Sequence, residues 1–359
     1  MKSIICFTES LAGGGAEHQM SILCRLLSDA GYDVTLVTYS DSPDHYELPN
    51  AVKRIRLGEG KSNYYKIFEI FKFFIKVKAD SIISYRQACN ARLLIPLLFR
   101  QRKGLNIICS ERNVHYGKSD KYEKVLFGGL YKRADFIVTN SFTQANYIKH
   151  IKPLWESKIR TIINYTDVDL YKPIETCLSD SIIKIGIFSR VAKQKNVENF
   201  IKAVALLKKR SDKLFEIHWY GNIELDCPYE KMVKRYNVSD VLFFHDAVIN
   251  TGVVMQSYHA ICQPSLYEGF SNSIAEAICC GMPVLASDVS DNGLMVEETI
   301  NGFLFNPLNI EEISSAFERF FNLSISQINE MKIKSREKAE TLFDKEKFTE
   351  SYISIIERM

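Results

Sequence analysis

Short apolar runs alternate with helix-period patterns along the chain, and the first 40 residues show this most clearly. Residues 4–8 form an apolar run, and a glycine-rich turn follows at residues 13–15. A helical pattern comes next, with apolar residues three and four positions apart: Met20, Leu23, Leu27 and Ala30. Gly31 suits the helix C-cap, and residues 34–38 form a mostly β-branched run. The pattern predicts a β-α-β unit that opens a parallel sheet.

The same alternation continues through two series of elements. In the first half we predict further strands at residues 81–84, 106–110 and 136–139, with helical stretches between them. In the second half we predict strands at 183–188, 215–220, 241–244, 260–264 and 284–287, and helices at 197–209 and 272–280. Gly281 and Pro283 end the second of these helices. Each half therefore predicts one doubly wound, Rossmann-like α/β domain.

A polar segment at residues 164–181, which contains Pro173, separates the two series and predicts the linker. We place the N-terminal domain at residues 1–168 and the C-terminal domain at 169–341. Residues 325–359 continue beyond the second sheet with largely helical patterns.

The nine cysteines and the N-terminal sequence indicate a cytoplasmic protein. The cysteines form no C-x-x-C pair and lie mostly in apolar runs, which is typical of buried free thiols in a reducing compartment. The first apolar run is too short for a signal-peptide core. No stretch approaches the roughly 18 apolar residues of a membrane-spanning helix. We expect a soluble or peripheral protein.

Charge is distributed unevenly between the two halves. Residues 1–165 hold 25 Lys and Arg against 15 Asp and Glu, whereas the remainder holds 21 against 28. Eight basic residues cluster among aromatic ones in the first half: Lys61, Lys66, Lys72, Lys76, Lys78, Arg100, Arg102 and Lys103. This pattern fits a face that contacts an anionic membrane surface, and it equally fits a solvated helix over an aromatic core. No nucleic-acid recognition motif accompanies it, so we expect no nucleic acid partner.

Two glutamates flank the start of the predicted helix in the second half. Glu268 lies in the loop after a strand, and Glu276 lies about one turn into the helix. A helix N-terminus offers free backbone N–H groups and the positive end of a dipole, and small residues beside it let a phosphate approach. Such residues are present at Ser271, Asn272 and Ser273. A diphosphate therefore fits this position without a metal ion, although capping alone also explains the glutamates.

Residues 267–288, with seven residues between the two glutamates, resemble the donor-site signature of glycosyltransferase family four, whose members have the GT-B fold. The resemblance implies that Glu276 holds the ribose of a nucleotide sugar and that Glu268 contacts the transferred sugar. It also implies that backbone N–H groups between them hold the distal phosphate, at Phe270, Ser271, Asn272, Ser273 and Ile274, and Gly269 joins them in the donor site. We add Gly221, at the end of a predicted strand, to the donor site.

Two further segments are similar to the same family. Residues 189–195 resemble the segment whose basic residues neutralise the donor diphosphate, which assigns those roles to Arg190 and Lys195. The family commonly has Gly after this Lys, whereas this chain has Asn196. Residues 13–17 resemble a glycine-rich family segment near the donor phosphate and the acceptor, which adds Gly14 and Gly15. His18 stands where a dinucleotide-binding loop needs its last Gly, so a nicotinamide cofactor is a poor fit.

The remaining candidates are a histidine and an acidic pair. Many family members place a His directly after the strand predicted here at 106–110. In this chain Ser110 and Glu111 occupy those positions, and we assign the role to His115. Asp167 and Asp169 match a metal-binding Asp-x-Asp only superficially, because they lie in the predicted linker. We expect no metal and no cofactor apart from the nucleotide sugar.

The resemblance predicts a GT-B fold, in which two Rossmann-like domains face a central cleft and the last helix, about 342–359, crosses back to the N-terminal domain. Four apolar residues suit that docking: Phe348, Tyr352, Ile355 and Ile356. It implies a retaining, metal-independent hexosyl or N-acetylhexosaminyl transferase, with UDP as the nucleotide. By analogy with the family, we expect the acceptor to be a glycan or lipid-linked glycan of surface polysaccharide or lipopolysaccharide synthesis at the inner face of the plasma membrane. A sugar-nucleotide epimerase on the same fold and a non-catalytic nucleotide-sugar-binding subunit remain as alternatives.

Overall fold

The computed structural model describes residues 1–100, 104–112, 121–174, 181–224 and 227–358. The chain forms two compact units. The first comprises Met1–Tyr165 together with Lys345–Met359, and the second comprises Thr166–Asp344. The sequence placed these divisions near residues 168 and 342.

The first unit is built on a parallel sheet of seven strands: β1 (Ser3–Phe7), β2 (Asp33–Thr38), β3 (Lys53–Arg56), β4 (Ser81–Tyr85), β5 (Asn106–Glu111), β6 (Phe136–Thr139) and β7 (Ile159–Thr161). Their order is β3-β2-β1-β4-β5-β6-β7, with Ser3 opposite Asp33 where β1 meets β2. Five helices follow along the chain: α1 (Gly15–Asp29), α2 (Asn63–Lys76), α3 (Gln87–Leu94), α4 (Lys121–Gly128) and α5 (Phe142–Ile151). Short 3₁₀ helices span Pro96–Phe99, Leu130–Arg133 and Pro153–Lys158.

The second unit is built on six parallel strands: β8 (Ile183–Phe188), β9 (Phe215–Tyr220), β10 (Leu242–His245), β11 (Ala260–Gln263), β12 (Val284–Ser287) and β13 (Gly302–Phe305). Their order is β10-β9-β8-β11-β12-β13. Its helices are α6 (Val197–Arg210), α7 (Tyr229–Arg235), α8 (Thr251–Met255), α9 (Asn272–Cys279), α10 (Asn292–Met295), α11 (Ile310–Phe321) and α12 (Ile325–Leu342), with a 3₁₀ turn at Lys193–Lys195. Both sheets reverse their strand order beside their first strand, as doubly wound folds do.

The strands of these sheets are largely apolar because helices cover the faces of the sheets. In β1, Ile4, Cys6 and Phe7 have no exposed surface, as expected for a strand buried on both sides. In β9 the burial alternates instead, with Phe215, Ile217 and Trp219 buried and the residues between them half-buried. Trp219 packs edge-on against Phe200 of α6 at 5.5 Å between ring centroids. The predicted fold class, with two Rossmann-like domains, is confirmed.

The sequence analysis did not predict three of the strands. β3 alternates Lys and Arg with Ile and lies at a sheet edge, so its apolar signal is weak. β7 has only three residues. β13 begins at Gly302, where a Cβ would lie 1.9 Å from the Val284 carbonyl oxygen, so close backbone approach selects glycine at a position with low strand propensity.

The terminal helix, Lys345–Glu357, belongs to the first unit. Phe348, Tyr352 and the two C-terminal isoleucines of this helix are buried, as the sequence predicted. The Tyr352 and Tyr85 hydroxyls lie 2.8 Å apart. Asn106 Nδ2 donates to the carbonyl oxygen of Ile355 at 2.8 Å, which satisfies a backbone group near the helix end.

The eight cysteines in the described part of the chain are free thiols, and seven of them are buried. Burial raises the pKa of the Cys89 thiol to about 12. Such a thiol stays protonated at neutral pH and acts as a small apolar side chain.

Candidate functional site

Two loops of the second unit meet where its strand order reverses. One loop follows β8 and leads through Lys193–Lys195, and the other follows β11 and leads to α9. Leu266 N donates to the Gln194 carbonyl oxygen at 2.9 Å, and Gln194 Nε2 donates to the Tyr267 carbonyl oxygen at 3.0 Å. Ligands of doubly wound sheets bind beside this reversal, at the carboxyl ends of the strands. These bonds therefore fix the two loops at the expected ligand position.

Lys195 and Glu268, one from each loop, form an ion pair between Nζ and Oε1. Their side chains are only 13% and 8% exposed. The same Glu268 oxygen accepts a hydrogen bond from Ser265 Oγ at 2.6 Å and another from Gln263 Nε2 at 2.9 Å. The buried carboxylate is thus balanced in charge and held in one orientation.

Sequence analysis missed Ser265 and Gln263. Both stand at the carboxyl end of a central strand, just before the loop that carries Glu268. Polar residues at that position are the signal that would have identified them.

The loop between the two glutamates leads into α9 with an uncapped start. Ser271 is the N-cap residue, and its side chain makes no capping hydrogen bond. Ser273 Oγ instead donates to the Phe188 carbonyl oxygen at 2.6 Å, which ties the first turn of α9 to the end of β8. Since Ser271 does not cap this helix, its positive end is suited to an anion.

The rest of this predicted segment is anchored to the body of the second unit. Phe270 is buried and packs edge-on against Phe343, with ring centroids 6.3 Å apart. Ile274 is completely buried. The Gly269 carbonyl oxygen accepts from Ser290 Oγ at 3.2 Å. Asn272 is the first residue of α9. These contacts hold the backbone of the loop in place at the start of α9.

Glu276 lies one turn into α9 and accepts a hydrogen bond from Thr251 Oγ1 at 2.8 Å. The Tyr171 side chain also hydrogen-bonds to this carboxyl group. Burial raises the pKa of Glu276 from 4.5 to about 7, and these two hydrogen bonds oppose the rise. A carboxyl group with this pKa changes charge in the physiological range.

Tyr171 is itself held by Arg336 of α12. Arg336 Nη1 donates to the carbonyl oxygens of Tyr171, Val168 and Cys279 at 3.0, 2.9 and 2.8 Å. Tyr171 and Thr251 were both missed by the sequence analysis. They come from a linker and a short helix with no distinctive pattern, so folding alone brings them to Glu276.

Arg190 lies in the same loop as Lys195 but points to a different partner. Its side chain is 58% exposed, and its Nη1 lies 2.5 Å from Glu224 Oε1. Among the predicted basic residues, the structure thus brings Lys195 to Glu268 and leaves Arg190 at the surface, paired with Glu224.

Gly221 allows the segment after β9 to pass close to the loop after β8. A Cβ at this position would lie 2.1 Å from the Ser189 carbonyl oxygen and 3.0 Å from Arg190 N. No side chain fits that gap. Gly221 therefore shapes the backbone beside Arg190.

Asn196 explains the departure from the family pattern after Lys195. Its backbone is left-handed, with φ 60° and ψ 33°. Asn adopts this conformation more readily than most residues that have a Cβ. Its Nδ2 also donates to the Pro307 carbonyl oxygen at 2.7 Å, which stabilises the turn. The loop therefore takes its shape without the glycine.

In the first unit, α1 begins at Gly15 with Gly14 as its N-cap in extended conformation. Buried Glu17 forms an ion pair with Arg86 at 2.7 Å. A Cβ at Gly14 would lie 2.4 Å from Glu17 Oε2, so a larger residue there would displace this carboxylate. Arg86, which the sequence analysis missed, follows β4 with φ 77°. This left-handed backbone is uncommon for arginine and holds its side chain toward Glu17.

The expectation for the segment after residue 110 needs a correction. Ser110 and Glu111 are the last residues of β5 and do not follow the strand. Glu111 is fully buried, where it accepts hydrogen bonds from Gln87 Nε2 at 2.9 Å and from the Tyr131 hydroxyl. These partners stabilise a polar strand end that the apolar pattern did not predict. His115 lies outside the described residues.

Asp167 closes a turn. Its Oδ1 accepts from the backbone nitrogens of Asp169 at 3.0 Å and of Leu170 at 3.2 Å. Within the described ranges, no group of three or more His, Cys, Asp and Glu side chains is arranged to hold a metal ion.

Two family models match the sequence, one in each half of the chain. Residues 13–170 match Glycosyltransferase Family 4, and residues 180–339 match Glycosyl transferases group 1. The chain is 23% identical over 310 residues to the amylovoran biosynthesis glycosyltransferase AmsD of Erwinia amylovora, with 82% of this chain and 86% of AmsD covered. It is 26% identical over 306 residues to a Campylobacter jejuni enzyme, the N-acetylgalactosamine-N,N'-diacetylbacillosaminyl-diphospho-undecaprenol 4-alpha-N-acetylgalactosaminyltransferase, with 80% of this chain and 81% of that enzyme covered.

The fold is similar to that of solved structures. The Anabaena protein HepE, solved in complex with UDP and glucose, matches with a TM-score of 0.80 and 16% identity over 100% of both chains. The sucrose-phosphate synthase of Thermosynechococcus elongatus matches with a TM-score of 0.82 and 18% identity over 100% of this chain and 99% of its own. With matched segments in both units and two Rossmann-like sheets, the chain belongs to glycosyltransferase family four and is a glycosyltransferase of the GT-B type.

Proposed function

We propose that this protein transfers a hexosyl or N-acetylhexosaminyl group from a UDP-sugar to a glycan or lipid-linked glycan, with retention of the anomeric configuration and without a metal ion. The observation that carries the proposal is the buried Lys195–Glu268 pair, in the loops that lead to the uncapped start of α9. Glu276 follows one turn later. The second unit thus combines positive charge, which suits the phosphates, with carboxylates, which suit the sugar hydroxyls.

In this proposal each group takes one part of the donor. Glu276 accepts hydrogen bonds from the ribose hydroxyls, and the backbone N–H groups from Gly269 to Ile274 receive the distal phosphate. Lys195 and Arg190 balance the charge of the diphosphate, which removes the need for a divalent cation. Glu268, released in part from Lys195 by the arriving phosphate, accepts from hydroxyl groups of the transferred sugar.

The proposed reaction proceeds on one face of the sugar. The bond between the anomeric carbon and the phosphate oxygen breaks, and the acceptor oxygen bonds to the same face of that carbon. The acceptor proton passes to the departing phosphate oxygen, so the products are the glycoside and UDP. Lys195 and the start of α9 stabilise the charge that develops on the leaving group.

The names of the relatives support the acceptor class. One relative is an amylovoran biosynthesis enzyme, and the other is named for a substrate with a diphospho-undecaprenol carrier. We therefore propose an acceptor in surface polysaccharide or lipopolysaccharide assembly, met at the cytoplasmic face of the membrane.

Donor binding is tested first by thermal unfolding with UDP, GDP, ADP and CDP. A ligand that binds only the folded state stabilises it by about 2.7 kcal/mol at a hundredfold excess over its Kd. We expect UDP alone to raise the Tm, and we expect Glu276→Ala to abolish the rise. If none of the four nucleotides raises the Tm, the proposal fails and a donor-independent role is favoured.

Transfer is then tested with labelled UDP-sugars and undecaprenyl-diphosphate-linked glycans, with and without EDTA. We expect an α-linked product from an α-linked donor, at equal rates in both conditions. Conversion of the donor when no acceptor is present would identify an epimerase, and UDP binding with no turnover on any acceptor would identify a non-catalytic subunit. A requirement for added Mg²⁺ would refute the metal-independent mechanism.

A further inference from the structure

Helix α2 of the first unit carries two apolar faces, and one of them is largely exposed among the described residues. Its buried face contains Lys66, Ile70 and Phe74. A second stripe lies at spacings of four, three and four residues: Tyr64, Phe68, Phe71 and Ile75, with Ile67 beside it. Tyr64, Ile67 and Phe68 are 88%, 52% and 58% exposed. A helix packed only against its own core needs a single stripe, so the second stripe is available to a partner.

The 3₁₀ helix Pro96–Phe99 extends this stripe. Phe99 is 72% exposed, and its ring lies 5.8 Å from that of Phe71. Leu98 and Ile95 are exposed beside it. Arg100 Nη1 donates to the Phe74 carbonyl oxygen at 3.1 Å, which fixes the end of this segment to α2. We call the exposed side chains of residues 64, 67, 68, 95, 98 and 99 the α2 apolar surface.

Exposed lysines accompany the α2 apolar surface on the helix and at its two ends. Lys61, Lys72, Lys76 and Lys78 are exposed, and the nearest acidic side chain on the helix, Glu69, already lies 3.6 Å from Lys72 Nζ. A second copy of this surface would meet it with like charge. Exposed aromatic side chains with lysines on the same helix and at its two ends are instead complementary to the headgroup region of a bilayer that contains anionic lipids.

We infer that the α2 apolar surface inserts into the headgroup region of an anionic membrane and thereby holds the enzyme beside its lipid-linked acceptor. This inference rests on the proposed function for its purpose, since a lipid-linked acceptor resides in a bilayer. In the described part of the chain, no helix is both long and apolar enough to span a membrane. Attachment through this surface is therefore interfacial and depends on both apolar burial and charge.

The test is co-sedimentation of the full chain with vesicles of phosphatidylcholine alone and with about one third phosphatidylglycerol. We expect strong binding only to the anionic vesicles and a marked loss between ~0.1 and ~0.5 M NaCl. The Phe68→Ser/Phe99→Ser double variant is expected to reduce the partition coefficient at least about tenfold. Lys72→Glu/Lys76→Glu is expected to do the same through charge. Leu154→Ser, at a 95% exposed site away from this surface, is the matched control and is expected to bind as the unchanged chain does.

UDP binding and transfer to a water-soluble acceptor are measured on the same variants, and we expect both to be retained. Equal binding to the two kinds of vesicle, or no effect of either double variant, overturns the membrane inference. If such variants instead lose self-association or the capture of a purified acidic protein, the surface serves a protein partner. If the unchanged chain does not bind UDP, the proposed function is refuted, whereas the result with vesicles still tests the membrane inference.

Discussion

Lys195 Nζ and Glu268 Oε1 form an ion pair whose side chains are only 13% and 8% exposed, and the two residues belong to different loops 73 positions apart in the chain. Removal of one partner from a buried pair strands the other charge in a medium of low polarity. The pair therefore links the stability of the second unit to the arrangement of its candidate donor site.

Replacement of Lys195 by Met is expected to lower the free energy of unfolding by about 3 kcal/mol at neutral pH, because Glu268 keeps an uncompensated charge. Glu268→Gln keeps the shape and is expected to reduce turnover ~100-fold or more. The double variant should recover much of the stability lost in Lys195→Met without recovering turnover. Urea unfolding and initial rates provide the measurements.

Lys202→Met is the matched control for this cycle, since Lys202 pairs with Glu198 on an exposed helix surface at 2.7 Å. We expect it to change the free energy of unfolding by less than about 0.5 kcal/mol. Strictly additive effects of the two buried substitutions would contradict the ion pair.

Glu276 is expected to make the affinity for UDP depend on pH. Its pKa of about 7 means that the free protein holds a neutral carboxyl group below neutrality and a carboxylate above it. A carboxylate is the stronger acceptor for ribose hydroxyls, so we expect the Kd for UDP to fall as pH rises from about 6 to about 8. Calorimetric titration of the unchanged chain and of Glu276→Gln separates this effect from titration of the nucleotide. The same slope in both proteins would exclude Glu276 as its source.

The same pKa also affects stability in the absence of ligand. The folded pKa of Glu276 is about 7, above the value of 4.5 expected for an unperturbed Glu. Between these pH values the folded state retains a proton that the unfolded state has released, so the free energy of unfolding falls as pH rises through this window. Glu276→Gln should lack that contribution, which denaturation at about pH 5 and about pH 7.5 measures. An identical pH dependence in both proteins would argue against the raised pKa.

Gly221→Ala is expected to weaken UDP binding and to destabilise the second unit by roughly 1–3 kcal/mol, because its Cβ would overlap the Ser189 carbonyl oxygen. Gly128→Ala is the control, since a Cβ there would meet no atom within 4 Å. Thermal unfolding with and without UDP measures both effects. Normal UDP affinity in Gly221→Ala would remove Gly221 from the candidate donor site.

Tyr352→Phe tests how the terminal helix is held in the first unit. The Tyr352 hydroxyl accepts from Arg112 Nη2 at 2.8 Å and lies beside the Tyr85 hydroxyl in a fully buried cluster. Its removal leaves these groups without that partner, and we expect a loss of about 2 kcal/mol in the free energy of unfolding. Tyr64→Phe, at an 88% exposed site, should change stability little. Equal stability of the two variants would show that the hydroxyl cluster does not hold the helix.

The sequence alone predicted the two doubly wound domains and most of their central strands, and it supplied the candidate residues of the donor-site loops. Central parallel strands are buried on both faces, so β1, β8 and β12 are apolar runs that can be recognised in the sequence. Edge strands such as β3 carry charge and lose that signal. The segment that contains Glu268 and Glu276 is continuous in the chain, and its spacing was therefore visible without a structure.

Only the tertiary structure decided which side chains meet. The contact of Lys195 with Glu268, the approach of Tyr171 and Thr251 to Glu276, and the contact of Arg86 with Glu17 all join residues that are distant in the chain. Local propensity carries no information about such pairs, because their geometry depends on strand order and on how loops pack at the sheet edge. The raised pKa of Glu276 has the same origin, since burial is a property of the folded chain and not of the residue.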